Sequence, residues 1–72
     1  MQRAQIEDAA ELIQMEYAEM PGLKLTFWQV RRLWNLSEDV CERALAALTR
    51  SGFLVQTADG AYMRAGDAVR IA

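Results

Sequence analysis

The sequence predicts a mainly helical α+β domain in which three helices are followed by a β-hairpin. Apolar side chains recur at three- and four-residue steps in three separate stretches, which is the period of a helix. Thr26 and Ser37, whose hydroxyls suit helix N-caps, stand at the start of two of these stretches. Further on, Asp59-Gly60 lies between two short stretches typical of strands, and this dipeptide is a strong hairpin signal.

The length and composition indicate one small globular unit. The chain has 72 residues, so we expect residues 1–72 to form a single domain. Its hydrophobic fraction of 53% is high enough for a packed core. No apolar run approaches the roughly 18 residues that span a membrane, and the N-terminal segment lacks the apolar core of a signal peptide. A lone cysteine suits a reducing compartment, so we expect a cytoplasmic protein without a membrane partner.

The side-chain inventory argues against catalysis. The sequence has no histidine and one cysteine, Cys41, which leaves a zinc site almost without ligands and excludes Ser-His or Cys-His catalysis. Cys41 falls on a predicted apolar helix face and is interpreted as a core residue. The acidic pairs Glu7/Glu11 and Glu38/Glu42 have the spacing of neighbours on a helix surface. We therefore expect no enzyme activity, no cofactor and no metal.

Helix 1 is predicted at about residues 4–20. Leu12 and Met15 lie off the centre of its apolar face. Either this face is wide, which we favour for a small three-helix core, or helix 1 offers a second apolar strip to a partner. Pro21-Gly22 ends the helix, since proline cannot continue it. The predicted apolar face consists of Ile6, Ala9, Ala10, Ile13, Tyr17 and Met20.

Helix 2 is predicted at about residues 27–35. The short stretch before it, Leu23-Lys24-Leu25, is either a loop or, as we favour, a strand that pairs with the hairpin. Thr26 and Gln29 have the spacing of a capping box. We interpret Trp28 as a half-buried ring packed on arginine stems, and the alternative is an interface or a nucleic-acid contact. The predicted buried face is Phe27, Val30, Leu33 and Trp34, with Trp28, Arg31 and Arg32 outside it.

Helix 3 is predicted at about residues 38–51, after a turn at Asn35-Leu36 and a Ser37 cap. Its outer face is acidic at the leading end and contains the Asp39–Arg43 pair, which has favourable spacing for an ion pair. Gly52 ends the helix. The predicted inner face is Val40, Cys41, Ala44, Leu45 and Leu48, and the outer face is Glu38, Asp39, Glu42, Arg43, Ala46, Thr49 and Arg50.

A hairpin is predicted at about residues 53–64, in one of two registers. A two-residue turn at Asp59-Gly60 would place Ala58 opposite Ala61. A three-residue loop with Gly60 in a bulge would place Thr57 opposite Ala61, which we favour slightly because it lets Leu54 and Tyr62 cover the core together. The remaining tail, AGDAVRIA, has no strong pattern and is interpreted as an added strand or a frayed end.

The stretch from PGLKLT through DGAYMR resembles the winged helix-turn-helix domains of bacterial transcription regulators. The most telling part is the exit of helix 3, with Leu45, Leu48 and the run Ser51-Gly52-Phe53-Leu54, followed by Asp59-Gly60 and Tyr62. The resemblance covers about two-thirds of the chain. It implies a fold of three helices followed by a β-hairpin wing, and it specifies the fold better than any activity.

In that family, helix 3 enters the DNA major groove and the wing contacts the backbone or minor groove. Carried over by position, the resemblance implies six DNA-contacting cations: Lys24, Arg31, Arg32, Arg43, Arg50 and Arg64. The chain departs from the family pattern because Glu38, Asp39 and Glu42 occupy the leading end of helix 3. Three carboxylates there would meet phosphates at close range, so any DNA binding is expected to be weak and dominated by the backbone.

The charge distribution leaves two functions open. The net charge is −2, and residues 21–36 hold three cations and no acid, whereas residues 1–20 hold five acids and one arginine. A dedicated nucleic-acid binder usually has a clear basic footprint. The first hypothesis is a small DNA-binding transcription regulator, or a component of one, that binds double-stranded DNA as a homodimer. The alternative is a protein–protein interaction module on the same fold that does not bind DNA.

Overall fold

The computed structural model describes residues 2–67 of the chain, with side-chain burial from residue 5 onward. Over this range the mainly helical α+β class is confirmed, with three helices and a three-stranded antiparallel sheet. The helices begin and end within two residues of their predicted bounds. The elements in chain order are α1 (Gln2–Glu19), β1 (Lys24–Thr26), α2 (Phe27–Leu33), α3 (Glu38–Arg50), β2 (Leu54–Gln56) and β3 (Ala61–Arg64).

The strand before α2 joins the hairpin, as the sequence predicts. The sheet has the order β1-β3-β2, and both pairs are antiparallel. Within the hairpin, Leu54 lies opposite Arg64 and Gln56 opposite Tyr62. The backbone N–H of Thr57 donates to the carbonyl of Ala61 at 2.7 Å. The register with the three-residue loop is therefore confirmed.

Two positive-φ residues shape the turns that connect these elements. Gly60 has φ of 89°, a conformation that the hairpin loop requires and that glycine adopts without a Cβ clash. Asn35, in the turn between α2 and α3, has φ of 51°, and asparagine is one of the few side chains that tolerate this region. Leu36 N–H then donates to the carbonyl of Arg31 at 2.9 Å, which closes the end of α2.

The core lies among the three helices and one face of the sheet. The predicted inner face of α3 is buried throughout, and α1 packs against it. Tyr17 is fully buried, and its hydroxyl donates to the carbonyl of Tyr62 at 2.8 Å, which ties α1 to the central strand. The buried cluster comprises Ala9, Ile13, Tyr17, Val30, Val40, Cys41, Ala44, Leu45, Leu48 and Leu54.

The favoured interpretation of α1 as a helix with a wide apolar face is wrong. Leu12 is 50% exposed, and Met15 is also exposed. At about 100° per residue, these two side chains point about 100° and about 160° away from the buried Ile13. Met20, predicted on the buried face, is also exposed because it follows the last residue of α1. An exposed apolar strip, Leu12 with Met15, therefore remains on α1.

One predicted core position of α2 is also wrong. Leu33 is 58% exposed, whereas Val30 is fully buried and Phe27 is partly buried against the core. Leu33 lies roughly 90° around the helix from the direction that Phe27 and Val30 share. Because α2 has only seven residues, it has a narrow buried face, and Leu33 falls outside it.

The prediction of an added strand or frayed end is wrong for residues 65–67. These residues are helical, and Asp67 is buried. The Asp67 carboxylate accepts from the backbone N–H of Gly22 at 2.9 Å and from the Arg64 guanidinium at 3.3 Å. This contact fastens the end of the sheet to the loop that follows α1. The rest of the predicted tail, residues 68–72, lies outside the described residues.

Candidate interaction surface on α2 and the α2–α3 turn

The six cations implied by the resemblance lie on four different elements. Lys24 is on β1 and Arg64 on β3, with two arginines on each of α2 and α3. Within residues 2–67, three of the six pair with acids of the same chain, which neutralises their charge locally. The pairs are Lys24 Nζ with Asp59 Oδ2 at 3.4 Å, Arg43 Nε with Asp39 Oδ1 at 3.0 Å, and Arg64 Nη2 with Asp67 Oδ1 at 3.3 Å.

These three ion pairs differ in how readily they could open. The pairs of Lys24 and Arg43 are exposed, and exposed pairs contribute little to stability because water and salt screen them. The Thr57 hydroxyl, and after it the Lys24 ammonium, lowers the pKa of Asp59. The pair of Arg64 includes a buried carboxylate, which also binds the backbone of Gly22 and so fastens β3 to the loop after α1. Arg64 is therefore a structural residue first, although the resemblance implies a wing contact.

The exposed face of α2 presents an aromatic ring and two arginines. Trp28 is 62% exposed, and its ring meets Phe27 edge to face at 5.1 Å between centroids. The Arg31 guanidinium lies 5.5 Å from the centroid of the Trp28 ring, a cation–π geometry. Arg31 Nε also donates to the Leu36 carbonyl at 3.2 Å. Trp28 does pack on an arginine, as interpreted from the sequence, but its ring is more exposed than half-buried.

A groove of about 260 Å³ runs beside this ring. Arg31 and Arg32 line it together with Trp28, and the α2–α3 turn closes it with Asn35 and Leu36. Arg32 is exposed and makes no ion pair within residues 2–67. The groove therefore joins an aromatic face with positive charge. We call it the α2 groove.

A second groove of about 370 Å³ lies on the other side of the same turn. Asp8 and Leu12 of α1 form one wall, and the turn and the start of α3 form the other. We call it the α1 groove. It shares Asn35 and Leu36 with the α2 groove, so the two are adjacent. One surface thus carries an acidic, apolar half and a basic, aromatic half.

The outer face of α3 keeps the acidic character predicted from the sequence. Glu38 and Glu42 are exposed, and Asp39 is engaged with Arg43. Ser37 Oγ accepts from the N–H of Val40 at 3.2 Å, so the first turn of α3 is capped as predicted. Arg50 is exposed and lies at the far end of the helix. The leading end of α3 is therefore unsuited to a phosphate backbone.

Burial governs the ionisation of the interior side chains Cys41 and Tyr17. Burial raises the pKa of the Cys41 thiol to about 11, although Arg31 opposes the shift, so the thiol stays protonated at neutral pH. Burial likewise raises the pKa of Tyr17 to about 12.

Within residues 2–67 no three His, Cys, Asp or Glu side chains are grouped so that they could hold a metal ion. No helix in the same range is long and apolar enough to cross a membrane.

Part of this surface was predicted from the sequence, namely Trp28, Arg31 and Arg32, with the exposed strip of α1 as an alternative. The turn residues beside that strip were not predicted, because α1 and the turn are about 25 residues apart and meet only through packing. Comparison with protein-family models, with curated protein sequences and with solved structures found no match.

Proposed function

We propose that this chain is a protein-interaction module that binds its partner through the α2 groove and not through the outer face of α3. The observation that carries the proposal is the exposed Trp28 ring with two arginines beside it. Tryptophan and arginine are enriched among the residues that dominate interface energies. An exposed aromatic ring has a large apolar surface in water, and burying that surface against a partner would stabilise the complex.

The charge of the α2 groove supports an acidic partner. Residues 21–36 hold three cations and no acid, so the charge in this segment is positive. Arg31 is already held by the Trp28 ring and the Leu36 carbonyl, so little conformational entropy is lost when it meets a carboxylate. Arginine also presents two parallel donors to a carboxylate, which makes this pairing stronger and more specific than one with the point charge of a lysine ammonium.

Site-specific photo-crosslinking in the native host tests this function. A photoreactive p-benzoylphenylalanine in place of Trp28 should give a discrete protein adduct, and the same residue in place of Ala46 on the outer face of α3 should not. Arg32→Glu in the crosslinking chain should abolish the adduct, and Arg50→Glu should not. Adducts at position 46 with none at position 28 would overturn the assignment of the face.

A second candidate function is DNA binding, in line with a transcription regulator. Three helices and the order β1-β3-β2 are compatible with the winged helix-turn-helix that the sequence resembles. In that fold, the β2–β3 hairpin would be the wing. Arg31 and Arg32 would lie against the phosphate backbone. Lys24 and Arg43 would join them once their exposed ion pairs open, and Arg50 makes no ion pair within residues 2–67.

Fluorescence anisotropy with random-sequence duplex DNA at low salt separates the two candidates. Electrostatic association weakens steeply with salt, so low salt gives DNA binding its best chance. If the chain is a protein-interaction module only, it should not bind the duplex at protein concentrations of tens of micromolar. Salt-sensitive binding that is lost in Arg31→Ala/Arg32→Ala would favour the DNA candidate instead. Arg43→Ala/Arg50→Ala, which removes the same number of charges from α3, shows whether α3 contributes to that binding.

A further inference from the structure

We infer that the partner is a second copy of this chain, bound in a symmetric dimer. In this dimer, the α1 groove of each copy receives the Trp28 and Arg32 side chains of the other. The inference rests on the proposed function and deepens it by naming the partner. The charges of the two grooves and their shared border favour a second copy as the occupant.

A two-fold symmetric interface must be complementary to itself. The surface around the α2–α3 turn meets that condition, because its two halves differ in charge. One half holds Asp8 beside the exposed Leu12, and the other holds Arg32 beside the exposed Trp28. A two-fold axis through Asn35-Leu36 places each half against the opposite half of the second copy. Both resulting contacts pair an acid with a cation and an apolar chain with an aromatic ring.

The charge distribution of the whole chain favours this arrangement over a partner of another kind. The segment that contains α1 carries five acids, and the segment that contains α2 carries three cations, so each copy holds both complements. The acid that lines the α1 groove, Asp8, lies on α1, and Arg32 lies on α2. The ion pair across the dimer therefore joins α1 of one copy to α2 of the other. Like charges would meet if α1 faced α1 or α2 faced α2, so the complementary register is also the specific one.

Two of the exposed apolar side chains are accounted for by the same contact. Leu12 and Trp28 are each at least half exposed; Leu12 lines the α1 groove and Trp28 lines the α2 groove. A stable interface buries about 800 Å² on each partner. The chain has an accessible surface of 4953 Å², so such a contact covers a modest share of it.

Sedimentation velocity on a charge-swap pair tests the dimer. Arg32→Glu and Asp8→Lys each place like charges at both contacts of the homodimer, so each variant alone should sediment as a monomer. Mixed in equal amounts, the two variants should form a heterodimer. One of its contacts keeps the original acid and cation, and the other pairs the introduced glutamate with the introduced lysine. Arg50→Glu is the matched control and should dimerise as the original chain does.

The outcomes separate the dimer from the broader function. Circular dichroism first shows that the variants are folded, which the exposure of both positions predicts. An original chain that stays monomeric up to millimolar concentration overturns the dimer. The same applies if both single variants still dimerise, or if the mixture does not. If the dimer fails while crosslinking at Trp28 still yields a different protein, the interaction module stands. If both fail, the proposed function fails too.

Discussion

Asp67 shows how a single side chain fastens the end of the described fold. Its carboxylate is 5% exposed and accepts from the Gly22 N–H and the Arg64 guanidinium. A buried hydrogen-bonded charge pair is costly to break, because removing one partner leaves the other unpaired. Arg64, the wing cation that the resemblance implies, therefore helps to hold β3 to the loop after α1 through Asp67.

We expect Asp67→Ala to lower the free energy of unfolding by about 2–3 kcal/mol, since it leaves a part-buried guanidinium and a backbone N–H without this acceptor. Asp59→Ala removes an exposed pair with Lys24 and should change the stability far less. Urea unfolding of both variants measures the difference. Equal losses would mean that Asp67 contributes no more than a surface acid.

The buried Cys41 and Tyr17 predict a loss of stability at alkaline pH. Their folded pKa values are raised from 9.0 to about 11 and from 10.0 to about 12. A raised pKa means that the folded state holds its proton more tightly than the unfolded state. The stabilisation is thus fully present below pH 9 and is lost as pH rises through 9–12.

Unfolding followed against pH measures this loss. Cys41→Ala should reduce the decline that begins near the ordinary thiol pKa, and Tyr17→Phe should reduce the decline at higher pH. Tyr62→Phe is the control for the second variant, because burial also raises the pKa of Tyr62 but its ring is only part-buried. A profile that stays flat from neutral pH to the alkaline limit would contradict both shifts.

At the scale of elements, α2 depends on its caps because it is only seven residues long. Thr26 Oγ1 accepts from the Gln29 N–H at 3.2 Å, and the Gln29 side chain accepts from the Thr26 N–H at 2.8 Å. Both halves of the predicted capping box are therefore present. A short helix has few internal hydrogen bonds, so these two contribute a large share of its stability.

We expect Thr26→Ala to lower the free energy of unfolding by about 1 kcal/mol and to loosen the start of α2. Because Trp28 lies in that first turn, its fluorescence should broaden and shift with the loss, recorded in a Trp34→Phe background in which Trp28 is the single tryptophan. Thr49→Ala, on the exposed face of α3, is the control and should be nearly neutral. Equal effects of the two substitutions on Trp28 fluorescence would show that the cap does not position the ring.

Local signals explain why most elements could be predicted. The caps of α2 and α3 and the Asp59-Gly60 turn act over a few residues, so the sequence contains them directly. The exposed Leu33 could not be predicted in the same way. Hydrophobicity placed it in the core, whereas the rotation of a short helix decides which side chains face inward.

At the scale of the molecule, two hydrogen bonds each join residues that are 45 positions apart in the sequence. Neither could be predicted from a local sequence pattern. Tyr17 reaches the Tyr62 carbonyl, and Asp67 reaches the Gly22 N–H. The strip of α1 and the α2–α3 turn are likewise brought together by packing. The cations and the local Asp39–Arg43 pair could be predicted from the sequence. The Lys24–Asp59 ion pair across the fold, and the two adjoining grooves, have no local signal.

The central claim is that the binding face is formed by α2, the α2–α3 turn and α1, and not by the outer face of α3. The most direct test is a series of heteronuclear correlation spectra from micromolar to millimolar concentration. We predict that the cross-peaks of Leu12, Trp28 and Arg32 move with concentration while those of Glu42 and Ala46 stay fixed. Movement confined to Glu42 and Ala46 would contradict the account.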